Sequence, residues 1–200
     1  MSTTLSDGRR LLLASTSPFR RELLARLALP FTVQAPQVDE TRLPGESAPE
    51  LVARLAEGKA EAVARRQGSA ALIIGSDQAA VLEGVIIGKP GDHEQAVAQL
   101  QQASGRTVVF HTGLCLLDSA SAWRQIAVEE FRVVFRVLTP AMIERYLRRE
   151  QPYQCAGSFK SEGLGIALFD RLEGDDPTSL IGLPLIRLTR MLEAAGVVVL

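Results

Sequence analysis

The sequence predicts an α/β fold built on a mixed, twisted sheet that is flanked by helices. In the first half of the chain, short apolar strand-like stretches alternate with helix-like stretches, as is typical of α/β proteins. In the second half, two long β-rich runs, 107–117 and 125–138, flank a small-residue turn and are therefore expected to be antiparallel. With 200 residues, 46% of them hydrophobic, the chain can bury one core, or one core with a cleft between two lobes.

The chain is predicted to open with a strand, a helix and a second strand. Residues 10–15 read as a short buried strand. Ser17 then caps a helix that has Pro18 at its first position and continues to about residue 27. The second strand is predicted over residues 31–35.

The next predicted elements are a long helix and a very apolar strand. Ser47 followed three residues later by Glu50 is a capping box, which opens a helix to about residue 66. The apolar run 71–75 predicts a buried strand that ends at Ser76-Asp77-Gln78.

A hairpin and a third helix are predicted for the middle of the chain. Glu83-Gly84 is a typical two-residue hairpin turn between strands over residues 79–82 and 85–87. Asp92 is expected to cap a helix that continues to about residue 103.

The second half is predicted to end with two helices and a long loop. One helix begins at Thr139-Pro140 and continues to about residue 150, and a loop follows over 151–163. The last helix is predicted over 184–195, with Gly196 as its C-terminal cap. Because there is no repeat, low-complexity tract or linker, we expect residues 1–200 to form one domain with a polar tail at about 1–9.

Composition narrows the function. A net charge of −1 leaves no strongly basic face for long nucleic acid, but it permits a small anionic ligand. The apolar runs are too short to cross a bilayer, and the N-terminus lacks an apolar signal core. Cys115 and Cys155 are far apart and lack metal-like spacing, which predicts reduced thiols. We therefore expect a cytoplasmic protein whose partner is neither a membrane nor a long nucleic acid.

The turn between the first strand and the first helix carries groups that are suited to binding phosphate. It contains Ser15, Thr16 and Ser17, and Arg20 and Arg21 follow in the helix. A helix N-terminus attracts anions through its free N–H groups, and arginines add bidentate donors. The alternative is an ordinary capped helix with surface arginines, and this segment alone does not favour either.

Two acidic segments are candidates for metal binding and catalysis. Asp77 follows a very apolar strand, and ligands of open α/β sheets gather beyond the carboxyl ends of strands. Asp39 and Glu40 lie in a predicted loop. If these segments converge, their oxygens suit Mg²⁺ or Mn²⁺. Taken alone, Asp39-Glu40 is better explained as a solvated loop, whereas a functional role is favoured for Asp77.

The lysines are candidates for specific roles, whereas the sequence lacks the patterns of a P-loop, a serine nucleophile elbow and a zinc site. Lys59, Lys89 and Lys160 are the three lysines of a chain whose usual cation is arginine, which favours a specific role for each. The alternative is that each decorates the surface. Gly88-Lys89-Pro90 is not a P-loop, and no Gly-x-Ser-x-Gly elbow occurs. His93 and His111 share no zinc-ligand spacing.

Taken together, these segments resemble the Maf family of nucleotide pyrophosphatases over about residues 11–192. Six landmarks carry the resemblance, and their order and spacing are specific although each alone is weak: Leu13-Ala14-Ser15-Thr16-Ser17-Pro18 with the following arginine, Val38-Asp39-Glu40, Lys59, Ile74-Gly75-Ser76-Asp77, Gly88-Lys89-Pro90 and Gly182-Leu183-Pro184. The resemblance implies a fold like that of inosine-triphosphate pyrophosphatases, with two lobes around a cleft. It also implies dependence on Mg²⁺ or Mn²⁺ and frequent homodimers.

The resemblance also implies roles for particular residues. Asp77 is the expected general base for attack of water on the α-phosphorus of a nucleoside triphosphate. Asp39, with Glu40 as the alternative, is expected to bind the metal together with Asp77. The residues expected to bind the phosphates are Ser15, Ser17, Arg20, Lys59, Lys89 and Lys160.

Three positions resemble the branch of the family that hydrolyses 7-methyl-GTP. They are Phe19, Gln78 and Glu162, where the pyrimidine-preferring branch has arginine, threonine and glutamine. N7-methylation makes guanine cationic, and a cation over an aromatic face gains about 0.5–2 kcal/mol. Glu162 offers two acceptors for the guanine N1–H and N2–H₂ donors. Alternatives are a dTTP/UTP or broad-specificity pyrophosphatase, and a non-catalytic nucleotide-binding regulator of cell division.

Overall fold

A computed structural model describes residues 4–121 and 123–200, and within them the chain forms seven strands, five α-helices and two 3₁₀ turns. The strands are β1 Arg10–Ala14, β2 Thr32–Gln34, β3 Ala71–Leu82, β4 Val85–Ile87, β5 Thr107–Asp118, β6 Arg124–Phe135 and β7 Phe169–Glu173. The helices are α1 Pro18–Ala25, α2 Ala48–Ala64, α3 His93–Ala103, α4 Pro140–Glu150 and α5 Leu185–Ala194, and the 3₁₀ turns are Ala156–Ser158 and Leu164–Leu168.

All seven strands belong to one mixed sheet, which confirms the predicted fold class. The strand order is β2-β1-β3-β5-β6-β7, and β4 pairs with β3 as a hairpin. β1 is parallel to both β2 and β3, whereas the remaining pairs are antiparallel. The long β5–β6 hairpin was expected, and the short edge strand β7 was not.

The predicted caps place the helix starts correctly. The Ser17 hydroxyl accepts a hydrogen bond from the Arg20 N–H, and the Ser47 N–H donates to the Glu50 carboxylate at 2.8 Å. Asp92 and Thr139 cap α3 and α4 in the same way as Ser17 caps α1. These local bonds satisfy N–H groups that a helix start otherwise leaves unpaired.

β3 is longer than the sequence suggested. It does not end at 76–78, because its antiparallel register with β5 continues without interruption from Leu72 to Leu82. On its other side, pairing with β1 ends at Gly75 and pairing with β4 begins at Ala80. Residues 76–79 therefore form a length of β3 that, among the described residues, has no strand on that side.

Two glycines let α2 lie very close to the sheet. A Cβ atom at Gly75 would lie 2.0 Å from the Ala56 carbonyl oxygen, and one at Gly113 would lie 2.1 Å from that of Val52. No other residue type fits such an approach without moving the helix. Lys59, about one turn beyond Ala56, is thereby brought beside Asp77, which shares a face of β3 with Gly75.

The core is divided among three main groups of side chains. On one face of β1 and β3, residues such as Leu12 and Ile73 pack against α2. On the other face, residues such as Leu13 and Ile74 pack with α1 and α5. The third group lies at the far end of the sheet, where α3 and α4 cover an aromatic cluster that includes Phe110.

The polar N-terminal stretch packs against the fold where it is described. Leu5 is buried, and Arg9 Nη2 donates to the Ala195 carbonyl oxygen at 2.6 Å. Residues 1–3 of the expected tail lie outside the described residues. Among the helices that are described, none is both long and apolar enough to cross a membrane.

Candidate active site

A cleft of about 460 Å³ opens where β1 ends and α1 begins. Its walls come from the β1–α1 turn, from Asp77 and Gln78 of β3, and from the 151–163 loop across the cleft. Ten of the residues proposed from the sequence line it: Ser15, Ser17, Phe19, Arg20, Glu40, Lys59, Asp77, Gln78, Lys89 and Glu162. Asp39 and Lys160 are not among the lining residues.

The β1–α1 turn presents hydroxyls and a helix N-terminus to the cleft. Ser15 is buried, and its Oγ accepts a hydrogen bond from the Ser17 N–H at 3.1 Å. The Ser15 hydroxyl proton therefore remains available to donate. Ser17 caps α1, which has eight residues. The turn can thus offer hydroxyl donors and the positive end of a helix dipole to an anion.

Arg20 is held in the cleft through one nitrogen. Its Nε donates to the Gly182 carbonyl oxygen at 2.8 Å, and the buried Ser76 hydroxyl donates to the same oxygen at 2.9 Å. No described residue hydrogen-bonds to the two terminal guanidinium nitrogens, so they can bind a ligand. Burial lowers the pKa of Arg20, and the negative charges of Asp77 and Glu40 oppose that effect. Arginine remains charged in proteins, so a partly desolvated cation faces the cleft.

Lys59 joins the two carboxylates that enter the cleft. Its Nζ lies 2.5 Å from Asp77 Oδ1 and 2.6 Å from Glu40 Oε1, and the residue is only 4% exposed. A buried ammonium of this kind requires paired negative charge, which the two carboxylates supply. The loop carboxylate of Glu40 and the strand carboxylate of Asp77 therefore converge on the Lys59 ammonium. Convergence of these two acidic segments was the condition for a shared metal site.

The carboxylate pair fits a small divalent cation that is also bound by substrate. Mg²⁺ commonly takes one or two carboxylates and completes its coordination with water and substrate phosphates. Glu40 and Asp77 meet that requirement. The described residues contain no group of three or more acidic, histidine or cysteine side chains placed to hold a metal without other ligands. Asp39 lies apart, because its Oδ1 accepts a hydrogen bond from the Thr41 N–H at 2.9 Å.

Lys89 and Lys160 are placed differently. Lys89 is exposed and lines the cleft. Lys160 Nζ instead lies 3.2 Å from the carbonyl oxygen of Glu150 and 3.3 Å from its carboxylate, at the end of α4. The Lys160 N–H also donates to the Tyr146 hydroxyl at 3.1 Å. In this structure Lys160 thus ties the 151–163 loop to α4.

The three residues that resemble the 7-methyl-GTP branch of the family all line the cleft. Phe19 is half-buried at the start of α1, and Glu162 is exposed on the opposite loop. Gln78 lies on β3 with its amide nitrogen hydrogen-bonded inside the protein. The ring of Phe159 anchors the loop that carries Glu162, through edge contacts with Phe110 and other core aromatics.

The sequence is similar to known proteins over nearly its whole length. The model of the family described as "Maf-like protein" matches residues 10–195. The chain belongs to the Maf family. It is 60% identical to a protein of Nitrosococcus oceani over 190 residues, or 95% of each chain. It is 53% identical to one of Vibrio vulnificus, over 97% of this chain and 99% of that one. Both relatives are named 7-methyl-GTP pyrophosphatase.

Solved structures offer a more distant likeness. A HAM1 protein from Coxiella burnetii aligns with a TM-score of 0.48 and 16% sequence identity, covering 92% of this chain and 98% of that one.

Two residues in or beside the Maf cleft were not proposed as functional from the sequence. Thr112 lies behind the cleft, buried in β5 and hydrogen-bonded to Gln78. Its only sequence signal is a hydroxyl within an apolar strand. Cys155 lines the cleft, and burial raises the pKa of its thiol, which makes it a poor nucleophile at neutral pH.

A carboxylate outside the cleft fixes the loop that carries Glu40 in this Maf protein. Glu46 is buried, and both of its oxygens accept hydrogen bonds from Arg54 of α2. Arg54 also donates to the Thr41 carbonyl oxygen at 3.1 Å. The hydrogen bond from Arg54 is the main cause that lowers the pKa of Glu46 to about 2. The loop is therefore pinned to the same helix that supplies Lys59.

Proposed function

We propose that this chain is a nucleoside triphosphate pyrophosphatase that hydrolyses 7-methyl-GTP to 7-methyl-GMP and pyrophosphate. The names of its close relatives support this proposal. The observation that carries it is that one cleft contains two sets of groups. The first is the Lys59–Asp77–Glu40 cluster, and the second is Phe19, Gln78 and Glu162.

In the proposed reaction, water attacks the α-phosphorus. A new P–O bond forms, the bond from the α-phosphorus to the bridging oxygen breaks, and pyrophosphate leaves with that oxygen. Asp77 accepts the proton of the attacking water, a role that contributes about 10²–10⁴ to a rate. Asp77 is suited to this role because it is the innermost carboxylate of the cleft and is oriented by Lys59.

The cations and hydroxyls of the cleft stabilise the negative charge. Arg20 presents its terminal nitrogens, and Ser15 and Ser17 add donors at the α1 N-terminus. Lys89 can reach outer phosphate oxygens from the rim of the cleft. Fixed donors aimed at developing charge are a large source of catalysis. We leave Lys160 out of this set, because it is bonded to Glu150.

We propose that Glu40 and Asp77 hold Mg²⁺ or Mn²⁺ when substrate is bound. Such an ion would neutralise phosphate charge and polarise a phosphoryl oxygen. Asp39, the other ligand suggested by the sequence, is engaged with the Thr41 N–H and does not line the cleft. We assign it the role of shaping the loop that carries Glu40.

Phe19 and Glu162 give the proposed site its affinity for a methylated guanine. The aromatic face suits the cationic ring, and an ionised carboxylate accepts from the N1–H and N2–H₂ donors.

The cytoplasmic location and the homodimer remain predictions. The predicted location is argued from Cys115 and Cys155, which are both free, because reduced thiols are typical of cytosolic proteins.

The proposal is tested by measuring pyrophosphate release from 7-methyl-GTP, GTP, dTTP and UTP. We expect the highest kcat/KM for 7-methyl-GTP. Hydrolysis in ¹⁸O-labelled water should place the label in 7-methyl-GMP and not in pyrophosphate, because the α-phosphorus is attacked. Release of orthophosphate, or label in the pyrophosphate, would contradict the reaction. A preference for pyrimidine triphosphates would contradict the substrate.

A further inference from the structure

The amide of Gln78 is held by three acceptors. Its Nε2 lies 2.8 Å from the Ser179 carbonyl oxygen, 3.1 Å from that of Leu180 and 3.0 Å from Thr112 Oγ1. Thr112 faces Gln78 directly in the β3–β5 register and is fully buried. The Thr112 hydroxyl donates its own hydrogen bond to the Ser179 carbonyl oxygen at 2.9 Å. Toward Gln78, Thr112 therefore acts as an acceptor.

This arrangement fixes which end of the amide faces the cleft. Backbone carbonyls can only accept hydrogen bonds, so the nitrogen of Gln78 must point toward Ser179 and Leu180. A flipped amide would place its oxygen against two carbonyl oxygens and would lose three hydrogen bonds. The other end, Oε1, receives no hydrogen bond from the described residues and belongs to a side chain that lines the cleft.

We propose that Thr112 is a positioning residue that, together with the Ser179 and Leu180 carbonyls, holds Gln78 as a hydrogen-bond acceptor for the exocyclic amine of the base. The inference rests on the proposed function and names how that site reads its substrate. 7-Methylguanine carries three N–H bonds at this end of the ring, namely the N1–H and one N2–H on its Watson–Crick edge and a second N2–H that points toward its sugar edge. Glu162 accepts two of them, and Gln78 Oε1 accepts the third.

The acceptors of Glu162 and Gln78 would make the cleft discriminate against uracil and thymine. Uracil and thymine have one ring N–H between two carbonyl oxygens, so fixed acceptors would face acceptors. A free glutamine could turn its amide to donate to such a base. Because Thr112 and the two carbonyls prevent that rotation, the wrong base leaves polar groups unpaired, which is an effective form of discrimination.

The test compares 7-methyl-GTP with 7-methyl-inosine triphosphate, which lacks the exocyclic amine and keeps the cationic ring. kcat/KM for both nucleotides is measured on wild type, Thr112→Val and Thr112→Ser. Wild type should favour 7-methyl-GTP. Thr112→Val keeps the side-chain shape without the hydroxyl and should reduce that preference about three- to tenfold, the range for one net hydrogen bond. Thr112→Ser should retain it.

A second variant keeps the test decisive if Thr112→Val does not fold. Gln78→Met removes the amide at similar length and should reduce the preference at least as much. In the Gln78→Met background, Thr112→Val should cause no further loss of preference, because the two residues act through one group.

The inference would be overturned by an equal loss on both nucleotides in Thr112→Val, by the same loss of preference in Thr112→Ser, or by a wild type that does not distinguish the two nucleotides. Failure of the proposed function has a different signature, namely a wild type that prefers dTTP or UTP over 7-methyl-GTP. A wild type that prefers 7-methyl-GTP with an unaltered preference in Thr112→Val and Gln78→Met contradicts this inference alone.

Discussion

Lys59 and Asp77 form an ion pair with 2.5 Å between Nζ and Oδ1, across the contact between α2 and β3. The pair depends on the close approach that Gly75 permits, because Gly75 and Asp77 lie on the same face of β3. Glu40 joins the pair from a loop that has no regular secondary structure. The proposed chemistry thus depends on how closely a helix, a strand and a loop are held together.

Replacing Asp77 by asparagine should lower kcat by at least about 10², as expected for loss of a general base. The side-chain shape is kept, and Glu40 still pairs with Lys59. The measurement is steady-state pyrophosphate release, with the unfolding midpoint recorded to show that the fold persists. Asp170→Asn removes an exposed carboxylate on β7 and serves as the control. Near-normal turnover in a folded Asp77→Asn protein would assign the base to another group.

Removal of divalent metal should abolish activity, and Mg²⁺ or Mn²⁺ should restore it. Titration of Mn²⁺ in the presence of a non-hydrolysable nucleotide, followed by electron paramagnetic resonance, would report binding directly. Glu40→Gln should weaken that binding, whereas Asp39→Asn should weaken it less, because Asp39 bonds to the Thr41 N–H. Full activity in exhaustively chelated buffer would refute the metal requirement.

The triple change Phe19→Arg, Gln78→Thr and Glu162→Gln should shift preference from 7-methyl-GTP toward dTTP or UTP. Phe19→Arg alone should affect 7-methyl-GTP most, since a cation replaces the face on which a cationic base stacks. The measurement is kcat/KM for the four nucleotides on wild type, each single variant and the triple variant. An unchanged order of preference in the triple variant would show that other residues read the base.

Glu46 should make the protein sensitive to acid. Its pKa in the folded state is about 2, below the ordinary 4.5, mainly because Arg54 donates to it. A carboxylate whose pKa is lowered by folding stabilises the fold above its unfolded pKa and loses that effect as the pH falls. Glu46→Gln should therefore be less stable at pH 7 and should lose less stability between about pH 4.5 and pH 2.

Urea unfolding at several pH values measures this effect. Glu22→Gln, which removes an exposed carboxylate on α1, is the control and should follow wild type. Identical pH dependence in Glu46→Gln and wild type would show that the Glu46–Arg54 pair does not contribute to the pH dependence of the free energy of unfolding.

Gly75→Ala should destabilise the fold by about 1–3 kcal/mol or more, the cost of overpacking a core. The new Cβ would lie 2.0 Å from the Ala56 carbonyl oxygen, so α2 must move. Gly58→Ala, on α2 with open space around it, should instead stabilise by about 0.5–1 kcal/mol. Denaturant unfolding measures both variants, and equal stability of the two would contradict the close-packing argument. Activity should fall in Gly75→Ala, because Lys59 moves with the helix.

Much of the fold was predictable because its signals are local. Helix starts at Ser17, Ser47, Asp92 and Thr139 are specified by residues within one turn of each other, and all four are confirmed. The mixed sheet and the family membership are confirmed as well. The full length of β3 was missed, because pairing with β5 overrides the polar residues 76–78. β7 was missed because its pairing with β6 comes from a part of the chain distant in sequence.

The candidate site was predictable as a set of residues more than as a set of contacts. Ten of the proposed residues line one cleft. The bond between Lys160 and Glu150 depends on the path of the 151–163 loop, which no sequence pattern specifies. The hydrogen bond between Thr112 and Gln78 depends on the register of two strands, and the two residues are 34 positions apart in sequence.

The open length of β3 between its β1 and β4 partners has a consequence for how this enzyme family can diversify. Neighbouring side chains on a strand point to opposite faces, so Asp77 faces α2 while Gln78 faces Ser179 and Leu180. Both reach one cleft because, within the described fold, no strand pairs with residues 76–79 on the edge of β3 opposite β5. Substitutions at Gln78 can therefore change the preferred substrate while Asp77 keeps its contacts with α2. A single-residue insertion before Asp77 would exchange the two faces and disable both at once.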